Sequence, residues 1–169
     1  MDRSLFQAAE VLDMAIETER QGLAFYRSCA VARASERVAE VFEYVAEQER
    51  RHIDLFTQMK ADLDQYTVPE SYVGETLAYV RTFVGERIFS DVDAAACAAE
   101  AMEDEFEAID MALELERRSI GFYTGLREVV RESEQDTIDE IIAEEHRHIR
   151  RLLRLRHELE QDEADARGQ

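Results

Sequence analysis

The sequence predicts an all-α fold: four long helices, arranged as two antiparallel hairpins joined by one long crossover. Three observations carry this. Proline occurs once, as Pro69, and glycine only six times in 169 residues, while the good helix formers Ala, Leu, Glu and Arg dominate. Apolar residues recur at helical spacing over long stretches. The chain is also internally duplicated: Ala15–Tyr26 (AIETERQGLAFY) lines up with Ala112–Tyr123 (ALELERRSIGFY). Some thirty residues after Glu19 and Glu116 of the two copies comes Glu-x-x-His, as Glu49-Arg50-Arg51-His52 and Glu145-His146-Arg147-His148. The offset is 97 for the first motif and 96 for the second.

Helix A is expected from about Ser4 to Arg33. Ser4 with Gln7 forms a capping-box pair, and Leu12, Ile16, Leu23 and Tyr26 keep the period. Helix B follows over Glu36–Leu63, with Ser35 as its cap and an inward stripe through Val38, Val41, Phe42, Val45, His52, Phe56 and Met59. Residues 64–103 break the pattern at Pro69 and Gly74, with short helical pieces expected over Gly74–Ile88 and Val92–Met102. Helix C starts near Asp104, which pairs with Glu107 in a second capping box, and ends near Arg131. Helix D covers Ser133–Glu160, lined by Ile138, Ile141, Leu152 and Leu155, and a polar, frayed tail occupies residues 161–169. The organisation is one domain over 1–169: a first hairpin (1–63), the crossover (64–103), a second hairpin (104–160) and the tail. Short loops force antiparallel neighbours, and the long crossover lets B and C run parallel.

The formal net charge of −19 argues against nucleic acid and anionic membrane surfaces as partners. Its ordinary reading is a solvated acidic surface. No apolar run reaches membrane-spanning length, and the first residues lack the features of a secretory signal. Cys29 and Cys97 are the only cysteines, and no Cys-x-x-Cys is present, so neither a zinc ribbon nor a rubredoxin-type iron site can be built. Two reduced thiols in a cytoplasmic protein are expected, with Cys29 continuing an apolar helix face.

Glutamate is abundant, so what matters is which glutamates fall on an apolar stripe. Glu19 lies between Ile16 and Leu23, and Glu116 between Leu113 and Ile120. Glu17 and Glu114, about 200° away around their helices, face outward. Glu49 and His52 lie on the stripe from Val45 to Phe56, and Glu145 and His148 on the stripe from Ile141 to Leu152. Residues three apart share a helix face, so each Glu-x-x-His projects both side chains in one direction. Four carboxylates converging in a bundle interior would repel one another and lose hydration. Two divalent or trivalent cations would neutralise them. Carboxylate and imidazole without thiolate suit iron or manganese and accept zinc. His146 and His157 lie off the stripe.

These residues resemble the rubrerythrin and ferritin-like diiron carboxylate family, specifically the rubrerythrin-type domain without its rubredoxin domain, over essentially the whole chain. The resemblance implies a ferritin-like bundle with two iron ions. Glu19 and Glu116 would be terminal ligands, Glu49 and Glu145 would bridge the metals, and His52 and His148 would each bind one. Tyr26 and Tyr123, seven residues after the terminal glutamates, match the family's tyrosine, which would hydrogen-bond a ligand carboxylate. Core packing with a satisfied hydroxyl is an equal alternative. The family's extra carboxylate one turn after the helix C ligand is absent: Ser119 stands there, and Gly22 on helix A. The site is therefore more symmetric than in rubrerythrins proper.

The expected activity is reduction of hydrogen peroxide or dioxygen at a non-haem diiron centre, with electrons from an external donor such as a rubredoxin. Two rivals stand beside it: a ferroxidase or iron-handling protein, and a helical bundle with a structural metal and an interaction role. The resemblance also favours a homodimer, and the crossover is long enough for helix exchange between subunits.

Overall fold

The computed structural model describes residues 3–32, 35–63, 88–128 and 130–168, and the side chains from residue 9 onward within them except that of Leu63. Five helices occupy these residues: α1 (Arg3–Ala32), α2 (Glu36–Leu63), α3 (Val92–Ala101), α4 (Glu105–Arg127) and α5 (Glu132–Arg167). No strand is present among the described residues. Helices A to D correspond to α1, α2, α4 and α5. The side chains of the expected Ser4–Gln7 cap, and the helical piece over Gly74–Ile88 apart from Ile88 itself, lie outside what the structure describes.

Local chemistry sets the helix starts. The Val38 N–H donates to Ser35 Oγ at 3.4 Å and opens α2. Asp91 accepts from the Ala94 N–H at 2.8 Å at the start of α3. Asp104 accepts from the Glu107 N–H at 2.9 Å and caps α4. Glu107 reaches back one residue further than a capping box requires, to the Glu103 N–H at 2.9 Å. The α4 helix ends at Arg127, four residues before the expected Arg131.

The expected frayed tail is a correction: α5 continues through Arg167. A polar sequence with good helix propensity extends a helix when side chains pair along it. Glu163 pairs with Arg167 at 2.7 Å, and Arg156 with Glu160. From α2, Arg37 reaches Asp162 at 3.1 Å and Glu158 at 3.7 Å. This partner from another helix is not visible in the local pattern.

The buried apolar residues form two clusters. One holds Phe25, Phe42, Val45, Phe89, Ile109 and Leu152, and the other holds Val11, Ile16, Phe56, Phe122, Leu126 and Ile141. Every long helix contributes to both, in alternating order: α1 and α5 run from the second cluster to the first, α2 and α4 from the first to the second. Thus α1 is antiparallel to α2, α4 to α5, and α2 is parallel to α4. Short helix α3 packs on α1, with Phe89 just before it stacked on Phe25 at 5.7 Å. Cys29 is buried in the first cluster, whereas Cys97 on α3 is exposed. Among the described residues no helix is long and apolar enough to cross a membrane.

Candidate metal centre

Between the two apolar clusters lies one polar layer. Each long helix supplies it at the point where its apolar stripe is interrupted: Glu19 from α1, Glu49 and His52 from α2, Glu116 from α4, Glu145 and His148 from α5. All six are buried, none more than 4% exposed. The structure therefore brings together every carboxylate and imidazole that helical phase placed on the inward face. Glu17 and Glu114 stay outside the cluster, half-buried, with Gln21 donating to Glu17 and Arg118 pairing with Glu114. His146 and His157 are exposed and bonded locally, to the Ile142 carbonyl and to Gln161.

The six side chains form two overlapping groups whose ligating atoms lie within 4.8 Å of one another. Glu19, Glu49 and His52 make one, and Glu49, Glu116, Glu145 and His148 make the other. Glu49 belongs to both. Glu145 faces both imidazoles: Oε1 is 3.2 Å from His52 Nδ1, and Oε2 is 3.4 Å from His148 Nδ1. The imidazole rings lie 6.2 Å apart, tilted by 29°. Glu19 Oε1 approaches His52 Nδ1 at 3.5 Å, and Glu116 Oε2 approaches His148 Nδ1 at 3.4 Å.

The tyrosines join the hairpins. Tyr26 on α1 donates to Glu116 Oε1 on α4 at 2.6 Å, and Tyr123 on α4 donates to Glu19 Oε1 on α1. Each phenol thus serves the glutamate of the other repeat, because the antiparallel α1 and α4 exchange their ends about the duplication. Burial raises both phenols, and the surrounding carboxylates raise them further, so they remain O–H donors.

The cluster is electrostatically tense. Burial pushes Glu49 well above the usual carboxylate range, and Glu19 and Glu145 push it further. Burial and Glu145 do the same to Glu116, partly offset by His148. Burial disfavours the imidazolium at both histidines, but Glu19 and Glu145 outweigh it and raise His52 to about 11. Glu116 and Glu145 raise His148 to about 10. Burial opposes ionisation of Glu145 too, yet the close approach of Glu116, His148 and His52 holds it below its ordinary value. Without metal, these directions favour a proton on Glu49, on Glu116 and on both imidazoles.

Two observations show that the residues fit metal ions. Glu19 Oε2, Glu49 Oε1, Glu145 Oε1 and His52 Nδ1 are buried in the polar layer without a hydrogen-bond partner, a costly arrangement unless something else satisfies them. In addition, a Cβ at Gly22 would stand 2.9 Å from Glu49 Oε2. Gly22, the helix A equivalent of Ser119, is thus the position that leaves room for Glu49.

Three residues around the site were not singled out from the sequence. Glu144 accepts from His52 Nε2 at 2.9 Å and is itself bound by Arg147 at 2.8 Å. This fixes the His52 tautomer and turns Nδ1 toward the cluster. The duplication places Gln48 where Glu144 stands in the other half. Gln48 is buried, with Arg51 donating to its Oε1 at 3.4 Å. The two imidazoles therefore differ in their outer neighbours. Tyr44 is the third: its ring meets that of His148 edge-on at 6.2 Å. Glu144 immediately precedes a motif glutamate, but in so acidic a helix it reads as surface.

Fold and site together define a four-helix bundle with an internal carboxylate–imidazole cluster suited to metal. The rubrerythrin family model matches residues 10–109, which include Glu19, Glu49 and His52, and the chain belongs to the rubrerythrin family. Among solved structures it is similar to a Thermotoga maritima protein described as a candidate ferritin-like diiron-carboxylate protein. The TM-score is 0.64 at 26% identity, covering 89% of this chain and 95% of that one. The bundle is accordingly ferritin-like. Among curated proteins no match was found.

Proposed function

We propose that this protein is a non-haem diiron oxidoreductase that reduces hydrogen peroxide or dioxygen with electrons from an external donor protein. The observation that carries the reading is the buried layer of four carboxylates and two imidazoles with ligating atoms lacking hydrogen-bond partners. In this reading Glu19 and His52 hold one iron, Glu116 and His148 the other, and Glu49 and Glu145 are shared. The similar Thermotoga maritima protein, described as a candidate diiron-carboxylate protein, supports the choice of metal.

Two ferrous ions bound there would supply two electrons and open positions for an O–O unit. The chain's own residues do the rest. The apolar clusters on both sides exclude water and strengthen every electrostatic interaction in the layer. Tyr26 and Tyr123 hold Glu116 and Glu19 in place by donating from Oη. Glu144 holds the His52 ring, and Gly22 leaves the Glu49 carboxylate free to approach. Reducing one hydrogen peroxide to two waters consumes two electrons and two protons, with the protons taken from solvent.

The test is anaerobic loading with Fe(II), followed by substoichiometric peroxide. The parent should oxidise two Fe(II) per peroxide. Glu49→Ala and Glu145→Ala should lose this by about 100-fold or more, at least as much as removing a residue that merely supports a ligand. Glu17→Ala and Glu114→Ala should resemble the parent. Oxidation no faster than that of free iron would replace this reading with a structural metal. Equal damage from Glu17→Ala and Glu49→Ala would refute the assignment of the inward face.

A further inference from the structure

We propose that the face of the bundle around Tyr44, between α2 and α5, is the docking surface for an acidic one-electron carrier protein, with Tyr44 and His148 forming the bridge inward. The inference rests on the proposed function for the purpose of the electron, but not for the binding itself.

On this face both imidazoles of the cluster are one side chain away from solvent. Tyr44 is 37% exposed, yet its ring stands at 88° to the His148 ring with centroids 6.2 Å apart, within the range of an edge-to-face aromatic contact. The Glu144 side chain is 32% exposed and bonds His52 Nε2 at 2.9 Å. Both intermediaries end on an arginine. The Arg151 guanidinium carbon lies 3.9 Å from the Tyr44 ring centroid, and Arg147 binds Glu144.

These arginines belong to a row. Arg147, Arg150, Arg151 and Arg154 follow the i, i+3, i+4, i+7 spacing of one helix face, and all are exposed. The chain has 39 acidic and 20 basic residues. Elsewhere Arg37, Arg50, Arg127 and Arg156 are each paired with carboxylates, and the exposed Arg20, Arg27 and Arg117 do not form a four-residue row. Among the described residues Arg150, Arg151 and Arg154 meet no carboxylate within ion-pair distance; Arg151 instead covers Tyr44. A basic row on an acidic molecule, placed where Tyr44 and Glu144 link both imidazoles to the surface, is complementary to an acidic protein surface. Such a field steers encounter and orients the partner. A second copy of this chain fits poorly, because a two-fold axis through this face would set the row against itself.

Each encounter would oxidise one reduced carrier by one electron and pass that electron through the Tyr44–His148 contact to the cluster. Two encounters supply the two electrons that reduction of one peroxide consumes.

The experiment uses the full-length chain and an acidic rubredoxin as probe. Zinc-substituted rubredoxin, which is redox-silent, is titrated into isotope-labelled protein and followed by NMR. Shifts should map to Tyr44, Arg147, Arg150, Arg151 and Arg154. They should vanish in the Arg150→Glu/Arg151→Glu/Arg154→Glu variant and at high salt. In stopped flow, reduced rubredoxin should reduce the oxidised, iron-loaded variant at least 10-fold more slowly than the parent, with a flattened salt dependence. Reduction by methyl viologen radical, a small cation that needs no docking, should not slow. Tyr44→Ala should lower the rate at saturating rubredoxin while leaving the NMR affinity in place, and Tyr44→Phe should restore the rate. Shifts elsewhere, self-association through this face, or an unchanged rate and salt dependence in the triple variant would overturn the docking surface. If neither reagent reduces the loaded parent, the functional reading fails instead, and the iron-independent titration still decides the docking.

Discussion

Gly22→Ala separates the fold from the site. Gly22 lies in the middle of α1, where glycine costs a helix about 0.8–1.0 kcal/mol relative to alanine. On propensity alone the substitution should stabilise the chain by roughly that amount. The new methyl, however, would stand 2.9 Å from Glu49 Oε2, where ordinary contact begins at 3.4 Å, and 3.5 Å from Glu49 Cδ. The carboxylate end of Glu49 must therefore retreat by about 0.5 Å, the difference between 3.4 and 2.9 Å. Without metal this is inexpensive, because the moving atom is the far end of a flexible side chain. A metal site tolerates only about 0.2 Å in its ligand distances. If Glu49 is shared by two metals, both lose their geometry together. The expected result is a melting temperature equal to or above the parent's in chelator, with metal affinity reduced by about 10-fold or more. The assay is competition for Fe(II) or Zn(II) against a chromophoric chelator, beside thermal melts of chelator-treated protein. A variant that binds two metals with the parent's affinity would refute the argument that Gly22 exists to admit the Glu49 carboxylate.

Other outcomes follow from the same layer. In chelator-treated protein, Glu49 and Glu116 are raised above the ordinary 4.5, so the stability they contribute is full below that value and is lost as pH rises toward their folded values. His52 and His148 contribute stability that is full below 6.5 and gone above about 11 and about 10 respectively. The melting temperature of chelator-treated protein should therefore fall between pH 5 and pH 8, while that of metal-loaded protein rises as protons cease to compete. Parallel pH profiles with and without chelator would contradict a proton-filled cluster. Tyr26→Phe removes the 2.6 Å donor to Glu116 and leaves a buried carboxylate oxygen short of a partner, at a cost of about 1–3 kcal/mol. At roughly 2–4 °C per kcal/mol for a chain of this size, melting followed by circular dichroism should drop by several degrees. An unchanged melt would make the phenol a mere packing group.

The inward positions of the six cluster residues were legible because helical phase is local: Glu19 and Glu17 differ only in which side of one helix they occupy. The caps at Ser35 and Asp104 were legible for the same reason, since each bonds within one turn. What was hidden depends on neighbours from distant sequence. The Tyr26–Glu116 and Tyr123–Glu19 exchange exists only once α1 and α4 lie antiparallel. Helix α5 outruns its expected end partly because Arg37 on α2 reaches Glu158 and Asp162. Glu144 and Tyr44 looked like surface residues on charged helices, and each acquires its place by touching a histidine of the opposite hairpin.

The central claim is that six residues from four helices hold two metal ions in one buried layer. A crystal structure of the Fe(II)-loaded protein, with anomalous diffraction at the iron edge, tests it most directly. Two peaks about 3.5–4 Å apart, flanked by Glu19 and His52 on one side and Glu116 and His148 on the other, with Glu49 and Glu145 between them, are the predicted result. A single peak, no peak between the two apolar clusters, or Glu49 and Glu145 turned away from the metal would contradict it.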